Sequence, residues 1–455
     1  GTTTTIGSGA SNPIVVDGSA VTLGRCGGTV ALASGATQTG FGRTGTVNWI
    51  TTKKTTGFTA VSGEGYFCDT AASGAFTLTL PSSPSAGNIV GLKDYNGNFA
   101  TANLTIGRGG SPINGGSAID VVISTAGASI FLVYVDATQG WVATQDDSST
   151  FSGVAFLEAT GGTITTSGNC KIHTFTGPGT FAVSQISSTA PENVVSYMVV
   201  AGGASGGVAE GGGGGGAGGF RELKSPITPY TASPLDGYPS APNRITVTAA
   251  SFPITVGAGG AQNPGGPPAG NPGANSVFST ITSTGGGPGA RFREANDPQA
   301  AGGSGGGGTG RRTPGCGPNP GGNGNTPPVS PPQGNPGGAA NTPSPTSSND
   351  AGGGGGGATA AGTDSGYNTG QPGGAGATTN ITASPVAYGG GGGGGSQAST
   401  GGSGGAGGGG AGFSGSSGGA TGTANTGGGG GGAGAGPTAG QAGGSGIVVI
   451  RYKFQ

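Results

Sequence analysis

The feature that most constrains the fold of this chain is a set of four uninterrupted glycine tracts of nearly equal length. They occupy residues 211–216, 352–357, 389–395 and 427–432. A flexible linker has no reason to keep its glycine runs equally long, whereas rods that cross a layer of fixed thickness do. We therefore expect the four tracts to be ordered and to lie next to one another.

Ordered glycine must be held by backbone hydrogen bonds to other tracts. Each glycine fixed in an extended conformation costs about 0.5–1 kcal/mol more than alanine, and a backbone hydrogen bond contributes about 1 kcal/mol net. A glycine chain can form a left-handed threefold helix of the polyproline II type, which rises about 3.1 Å per residue and makes no internal hydrogen bonds. Its polar groups then point outward to neighbouring rods, and a Cβ atom between rods would clash. We expect valine to be strongly destabilising at Gly214 or Gly430 but nearly neutral at Gly370, which falls in a predicted loop.

Two apolar strands flank the glycine region, SYMVVAGG at 196–203 and GGSGIVVIRYKF at 443–454. Both are short β-branched and aromatic runs bounded by glycine, as buried strands are. Alternation places the side chains of the second strand on two faces, with Val448, Ile450, Tyr452 and Phe454 on one and Ile447, Val449, Arg451 and Lys453 on the other. We expect both strands to lie in one sheet, with Arg451 and Lys453 towards its exposed end.

The first third of the chain is predicted to be all-β. Short alternating runs recur from residue 58 onward at roughly ten-residue spacing, and in one of them Phe76, Leu78 and Leu80 share a face. Such spacing favours a sandwich or a barrel, and Trp141 should lie in its core. Essentially no α-helix is expected, because no window shows helical apolar periodicity and Gly, Thr, Ser and Pro dominate.

Composition and charge exclude several classes of function. The formal net charge is −1, so nucleic acid is not an expected partner. The longest apolar runs are too short to span a bilayer, so no membrane insertion is expected, and the N-terminus lacks the features of a signal peptide. The four cysteines are widely separated without a CxxC pair, which predicts free or buried thiols.

Residues suited to catalysis are scarce. The single histidine, His173, alternates with Ile172 and Thr174 as an ordinary strand residue would. No metal-binding motif appears, and the acidic residues are dispersed, with Asp94 at the end of a predicted strand, where turn-forming roles are common. We expect no enzyme activity, no cofactor and no metal.

The C-terminal region resembles the glycine-rich domains found at the ends of bacteriophage structural proteins, notably tail fibres and adhesins. The resemblance covers roughly residues 159–455 and is carried by the two flanking strands, the glycine-rich excursions, FPITVGAGG and ANSVFSTITSTGGG. Polyglycine II sandwiches are known from phage tip adhesins, and a similar domain occurs in the anaplastic lymphoma kinase receptor family. Residues 58–147 look like a β-module of phage fibres, through DT…GAFTLTLP and LVY.D…GW. Unlike the tip adhesins, this chain carries its own N-terminal β region.

The expected fold class is therefore all-β with a polyglycine II helix sandwich. We expect a β-rich attachment or shaft segment at 1–57, a β-sandwich-like fibre module at 58–147 and a glycine-rich domain at 148–455. In that last domain, 159–203 and 443–455 would form a β base, and 204–442 would form rods and loops.

The resemblance implies a non-enzymatic tail fibre or receptor-binding adhesin in the virion. Its expected partners are a host cell-surface receptor, either a glycan or an outer-membrane protein, and other virion proteins. By resemblance to fibre shafts, and because a chain with 31% hydrophobic residues builds self-sufficient cores with difficulty, we expect a homotrimer. A structural virion protein, as a capsid decoration or head fibre, and a bacterial surface adhesin remain alternatives.

Candidate receptor contacts lie in the predicted loops, because recognition tends to reside in loops on a rigid scaffold. Tyrosine and arginine are enriched at binding hot spots. The candidates are the isolated aromatic and arginine residues Tyr230, Tyr238, Arg291, Phe292, Arg293, Arg311, Arg312, Tyr367 and Tyr388. The alternative for each is that it anchors its loop onto the rods.

Overall fold

The computed structural model describes residues 47–115, 120–146, 156–208, 210–264, 270–290, 301–310, 319–340, 349–366, 368–436 and 438–454. The described residues form two compact units, one from 47–110, 122–136 and 141–146 and the other from the remaining described residues. Within the described residues the only α-helix is α1, Thr70–Ser73, and two 3-10 turns span Ala190–Asn193 and Ala241–Asn243. The expected near-absence of helix is confirmed.

The described strands of the first unit are divided between two sheets, and the first six alternate between them. They are β1 (Asn48–Lys54), β2 (Phe58–Thr59), β3 (Glu64–Cys68), β4 (Phe76–Thr79), β5 (Ile89–Asp94), β6 (Leu104–Gly107), β7 (Val121–Ile123), β8 (Ser129–Tyr134) and β9 (Trp141–Asp146). One sheet has the order β1-β3-β5-β8-β9 and the other β2-β4-β6-β7. Because the chain changes sheet after each of the first strands, β1 pairs with β3, β3 with β5, β2 with β4 and β4 with β6 in parallel.

The core of the first unit contains the side chains that alternation predicted. Leu78, Leu80 and Trp141 are fully buried. Asp94 is also buried and accepts hydrogen bonds from the backbone amides of Asn98, Phe99 and Gly127, as a turn-forming carboxylate does. Strand β1 pairs with β3, so residues 48–54 belong to the same sheet as strands of the segment 58–147.

The second unit contains two five-stranded antiparallel sheets and a hairpin. Its described strands are β10 (Glu158–Thr160), β11 (Thr163–Ser167), β12 (Cys170–Phe175), β13 (Gly179–Gln185), β14 (Ser196–Val200), β15 (Phe220–Leu223), β16 (Ser251–Thr255), β17 (Ser276–Phe278), β18 (Ile281–Ser283), β19 (Ala377–Thr379), β20 (Val386–Tyr388) and β21 (Ile447–Lys453). The sheet orders are β11-β12-β21-β14-β15 and β10-β13-β16-β17-β18, and β19 pairs with β20. The two strands that flank the glycine region, β14 and β21, pair directly, as expected.

The sheet that contains β14 and β21 is buried on both faces. On one face, Val448, Ile450 and Tyr452 join a cluster with residues of the other five-stranded sheet, such as Phe181 and Phe278. The opposite face forms a second cluster, which includes Ile447, Val449, Met198, Ala377 and Tyr388. The predicted alternation of β21 is therefore confirmed, but Arg451 does not lie at an exposed end, because it is only 2% exposed.

The glycine tracts form rods with a hydrogen-bonding period of three residues. In the central rod, residues 211–219, the amides of Gly212, Gly215 and Gly218 donate to carbonyls at 433, 430 and 427, with N–O distances of 2.8–2.9 Å. Gly214 and Ala217 donate to a second neighbour at 353 and 356, and Gly213 and Gly216 donate to a third at 290 and 287. A repeat of three residues per turn is that of the polyproline II helix.

The central rod lies in a closed ring of six neighbours. Three of them accept its amides, and the other three donate to its carbonyls, for example from Gly392, Gly207 and Gly307. Each neighbour also bonds to the next one around the ring, whose members in order are 427–433, 389–395, 352–358, 302–310, 284–290 and 201–207. Among these, the four long tracts are adjacent as predicted, and the packing is a hexagonal array.

Outer rods show where side chains are tolerated. In the rod that follows β16, Gly257 and Gly260 are buried, whereas Ala258 and Ala261 are exposed at the same three-residue interval. Gly370 lies in such an outer rod rather than in a free loop, because a Cβ atom built there would come 2.1 Å from the carbonyl oxygen of Gly394. The expectation that valine is nearly neutral at Gly370 is therefore wrong.

Candidate functional site

The rod bundle has two ends with different surroundings. At the sheet end, the rods join the strands directly: Ala201 follows β14, Gly219 precedes β15, Gly389 follows β20 and Gly446 precedes β21. We call the opposite end, where the chain turns from one rod to the next, the far end. The amide of Gly395 donates to Gly212 there.

Hydroxyl and amide side chains cap the rods at the far end. The Thr309 hydroxyl donates to the carbonyl of Gly211 at 3.3 Å, and the Asn319 side-chain amide donates to that of Thr309 at 2.6 Å. The Ser365 hydroxyl donates to Ala351 at 2.8 Å, and the Ser396 hydroxyl donates to Asn368. These bonds give partners to backbone carbonyls at the far end of the rods. The residues from which the next segments leave are therefore held in place.

Six of the nine candidate contact residues adjoin the far end in sequence. Arg291, Phe292 and Arg293 follow directly on Ala290, and Arg311 and Arg312 follow on Gly310. Both preceding residues are at the far end, since the carbonyl of Ala290 accepts from Gly213 and the amide of Gly310 donates to Gly211. These five residues and Tyr367, which stands before Asn368, lie outside the described residues.

The other three candidates lie near the sheets. Tyr388 is 5% exposed. It belongs to the cluster with Met198 and Val449, on one face of the sheet that contains β14 and β21, which we call the base sheet. Tyr230 is half-buried against the same cluster, and Tyr238 packs against the cluster between the sheets, with the Arg244 guanidinium 4.4 Å from its ring centroid. These positions fit loop anchors better than receptor contacts, since each ring already packs against other residues of this chain.

Two buried charged groups that sequence reasoning did not single out hold the loops at the sheet end. The Glu222 carboxylate accepts from the Ser233 amide at 2.9 Å and the Thr379 hydroxyl at 2.5 Å, and burial raises its pKa. The Arg451 guanidinium donates to the carbonyls of Ile381 and Pro229 at 3.2 and 3.1 Å. The only sequence signal was the strand face that each shares with apolar residues: Glu222 with Phe220, and Arg451 with Ile447 and Val449.

His173 lies in strand β12, as its sequence pattern predicted, and the structure places it in the core. It is fully buried, its Nδ1 donates to the carbonyl of Gly161 at 2.7 Å, and its Nε2 accepts from the Tyr452 hydroxyl at 3.2 Å. The imidazole also stacks on the Tyr452 ring. Burial lowers the pKa of His173, the hydrogen bond to Gly161 opposes this effect, and the charge of Lys171 adds to it.

This environment predicts a loss of stability in mild acid. Because the folded protein binds the proton of His173 less readily than the unfolded chain, the stabilisation is complete above the ordinary pKa of 6.5 and falls as the pH drops below it. Thermal unfolding measured between about pH 7 and pH 5 should show this decline. The slope should be shallower in His173→Gln, and since the chain has no other histidine, equal slopes would contradict the assignment.

Two of the four cysteines lie among the described residues. Cys68 and Cys170 are buried free thiols, and burial raises the pKa of Cys68 to about 12. Cys26 and Cys316 lie outside the described residues. The described part of the chain brings together no group of three His, Cys, Asp or Glu residues that could hold a metal ion. It also contains no helix with the length and apolar character of a membrane span.

The sheet-based rod bundle defines a class of glycine-rich, all-β domain. The model of one family, described as a glycine-rich domain, matches residues 176–453, which is more than half of the chain. This protein therefore belongs to the glycine-rich domain family. No curated protein matches the chain.

Proposed function

We propose that this protein is a non-enzymatic tail fibre or receptor-binding adhesin of a bacteriophage. In this proposal the rod bundle is a rigid scaffold, and the segments leaving its far end contact a glycan or an outer-membrane protein of the host. The observation that carries it is the division of the bundle into a sheet end and a far end. Six of the nine candidate contact residues adjoin the capped far end in sequence.

The physical basis of the proposal is preorganisation. Loops that are fixed at both ends by hydrogen-bonded rods lose less conformational entropy on binding than loops on a flexible chain. The array also fixes its rods without a large apolar core, since the central rod bonds to six others through backbone groups alone. The protein would act in the virion, together with other virion proteins and as a homotrimer.

The location of the protein on virions tests this proposal. Antibodies against the chain should label the tail ends of virions that contain it in electron micrographs. Label over the head would instead indicate a decoration or head-fibre role, and label on uninfected bacteria would indicate a bacterial surface adhesin. Either result would overturn the tail-adhesin assignment.

Binding to host cells tests the role of the far end. Replacing Arg291, Phe292 and Arg293 together with serine should reduce binding of the fluorescently labelled protein to host cells by about tenfold or more, as loss of a hot spot does. The control is Arg244→Ser, which removes an exposed cation near the sheets and should leave binding unchanged. Equal binding by the triple variant and wild type, or an equal loss in the control, would refute a contact role for this segment.

A further inference from the structure

The last described strand in the sequence is the central strand of the base sheet. The order of this sheet is β11-β12-β21-β14-β15, so β21 lies between two strands that come much earlier in the chain. It pairs antiparallel with β12 on one side and with β14 on the other. The hydrogen bond between His173 and Tyr452, which joins β12 to β21, spans 279 positions of the sequence. The base sheet is therefore incomplete until β21 is in place.

Strand β21 contributes to both hydrophobic clusters of the base sheet. Its residues from Ile447 to Tyr452 are all buried. Its apolar side chains alternate between the cluster shared with the other five-stranded sheet and the cluster on the opposite face. Without β21, both clusters would be open to water, and β12 and β14 would each lose the hydrogen-bond partners along one edge. Unpaired backbone groups at buried positions are rare in native proteins, so the sheet is not stable with this gap.

The residues just before β21 attach it to the rod array. Residues 440–446 form an outer rod, whose amides at 443, 444 and 446 donate to carbonyls at 260, 428 and 257, with N–O distances of 2.8–2.9 Å. The amides of Gly203 and Gly427 donate back to its carbonyls at 444 and 445. This outer rod therefore bonds to two members of the ring and to the rod that follows β16. We call residues 440–453 the closing segment, because one continuous stretch holds the array to the base sheet.

We propose that the gap between β12 and β14 is a binding site for an extended strand, and that the closing segment fills it as the last step of folding. Main-chain hydrogen bonds along both edges supply affinity, and pockets for alternate side chains supply specificity, as in strand addition generally. Contacts between residues far apart in sequence form late, because closing a long loop costs entropy before the contacts stabilise it.

Two consequences follow for the glycine-rich domain. A chain that ends before the closing segment cannot hold its rods in the array, so only chains that contain this segment acquire the folded scaffold. The site also accepts the closing segment as a separate peptide, because the bonds that hold it do not require a covalent connection. Both consequences concern folding and do not depend on the proposed receptor binding.

Cleavage of the full-length protein ahead of the closing segment tests the inference. A protease site is inserted after Gly436, which is exposed and where an added Cβ atom would have no neighbour within 4 Å. After cleavage of the folded protein, the fragment 437–455 should remain bound during gel filtration in native buffer and separate in denaturant. When denaturant is removed, fragment 1–436 alone should not recover its rods, and amide exchange at 212–218 should be about a hundredfold faster than in the intact protein. Adding fragment 437–455 in molar excess should restore the slow exchange.

A variant fragment and a second measurement make this test decisive. Fragment 437–455 with Val449→Asp should not restore slow exchange, because Val449 is fully buried in β21. Slow exchange in fragment 1–436 alone, or equal rescue by the variant fragment, would overturn the inference. If the intact chain does not refold, uptake of fluorescently labelled fragment 437–455 by the cleaved, folded protein replaces the refolding step, just below the denaturant midpoint. Uptake that excess unlabelled fragment blocks would support the site, and its absence at that denaturant concentration would overturn it.

Discussion

Replacing Gly214 with alanine is expected to lower the free energy of unfolding of the rod bundle by about 3 kcal/mol or more. Gly214 lies in the central rod, and a Cβ atom there would come 2.1 Å from the carbonyl oxygen of Gly392 and 2.9 Å from the amide nitrogen of Gly355. Both obstacles are backbone atoms of other rods, so no side-chain rotation can relieve the clash. Separation of the rods would also stretch hydrogen bonds such as that from Gly214 to Gly353, which is 3.0 Å long.

Two further glycine variants make this expectation specific to the array. Gly366→Ala is the matched control, because a Cβ atom at Gly366 has no neighbour within 4 Å, and the change should alter stability by about 0.5 kcal/mol or less. Gly370→Ala should be clearly destabilising, since Gly370 is packed against Gly394. Thermal and denaturant unfolding measure all three. If Gly214→Ala and Gly366→Ala had the same midpoints, the rods would not be close-packed.

Replacing Arg451 with methionine is expected to lower the free energy of unfolding by about 2–4 kcal/mol. The guanidinium is buried in the base sheet and donates to the carbonyls of Ile381 and Pro229, while its charge lies 5.2 Å from the centroid of the Tyr230 ring. Methionine fills similar space but leaves the carbonyls of the buried Ile381 and of Pro229 without their donor. The segment between β19 and β20 and the loop at 229 should lose their attachment to the sheet.

Denaturant unfolding and hydrogen exchange test whether the Arg451 hydrogen bonds to Ile381 and Pro229 hold these segments. Exchange should accelerate at residues 380–385 in Arg451→Met, since that segment is tied to the sheet through Ile381. Arg451→Lys should recover only part of the stability, because a lysine ammonium does not reproduce the planar fork of arginine. The control is Lys171→Met, in a neighbouring strand and only half-buried, with an expected change of about 0.5 kcal/mol or less. If Lys171→Met lowered the free energy of unfolding as much as Arg451→Met, the effect would not be specific to the Arg451 hydrogen bonds.

Local chemistry was sufficient to predict the elements of the glycine-rich region. Equal glycine tracts require close neighbours without Cβ atoms, and the four tracts are indeed adjacent rods. Alternation along β21 predicted which side chains lie on each face of the base sheet, and its pairing with β14 followed from their similar patterns. The core position of Trp141 was also expected, whereas for His173 the pattern gave only a strand position, because Ile172 and His173 lie on opposite faces and both are buried.

Only the tertiary structure decided which rods are neighbours and which loop residues are anchors. A threefold rod looks the same in sequence whether it has six neighbours or three, so nothing local separated Gly370, which is packed, from Gly366, which is open. Likewise, the pattern of β21 placed Arg451 on a face but could not show that Ile381 and Pro229 supply its acceptors from distant segments. Tyr388 was equivalent in sequence to the other loop aromatics until the fold placed it in a core. Glycine content and alternation determined that rods and strands form, because these preferences act within a few residues. Their neighbours were set by long-range packing, which depends on how the whole chain returns through the array.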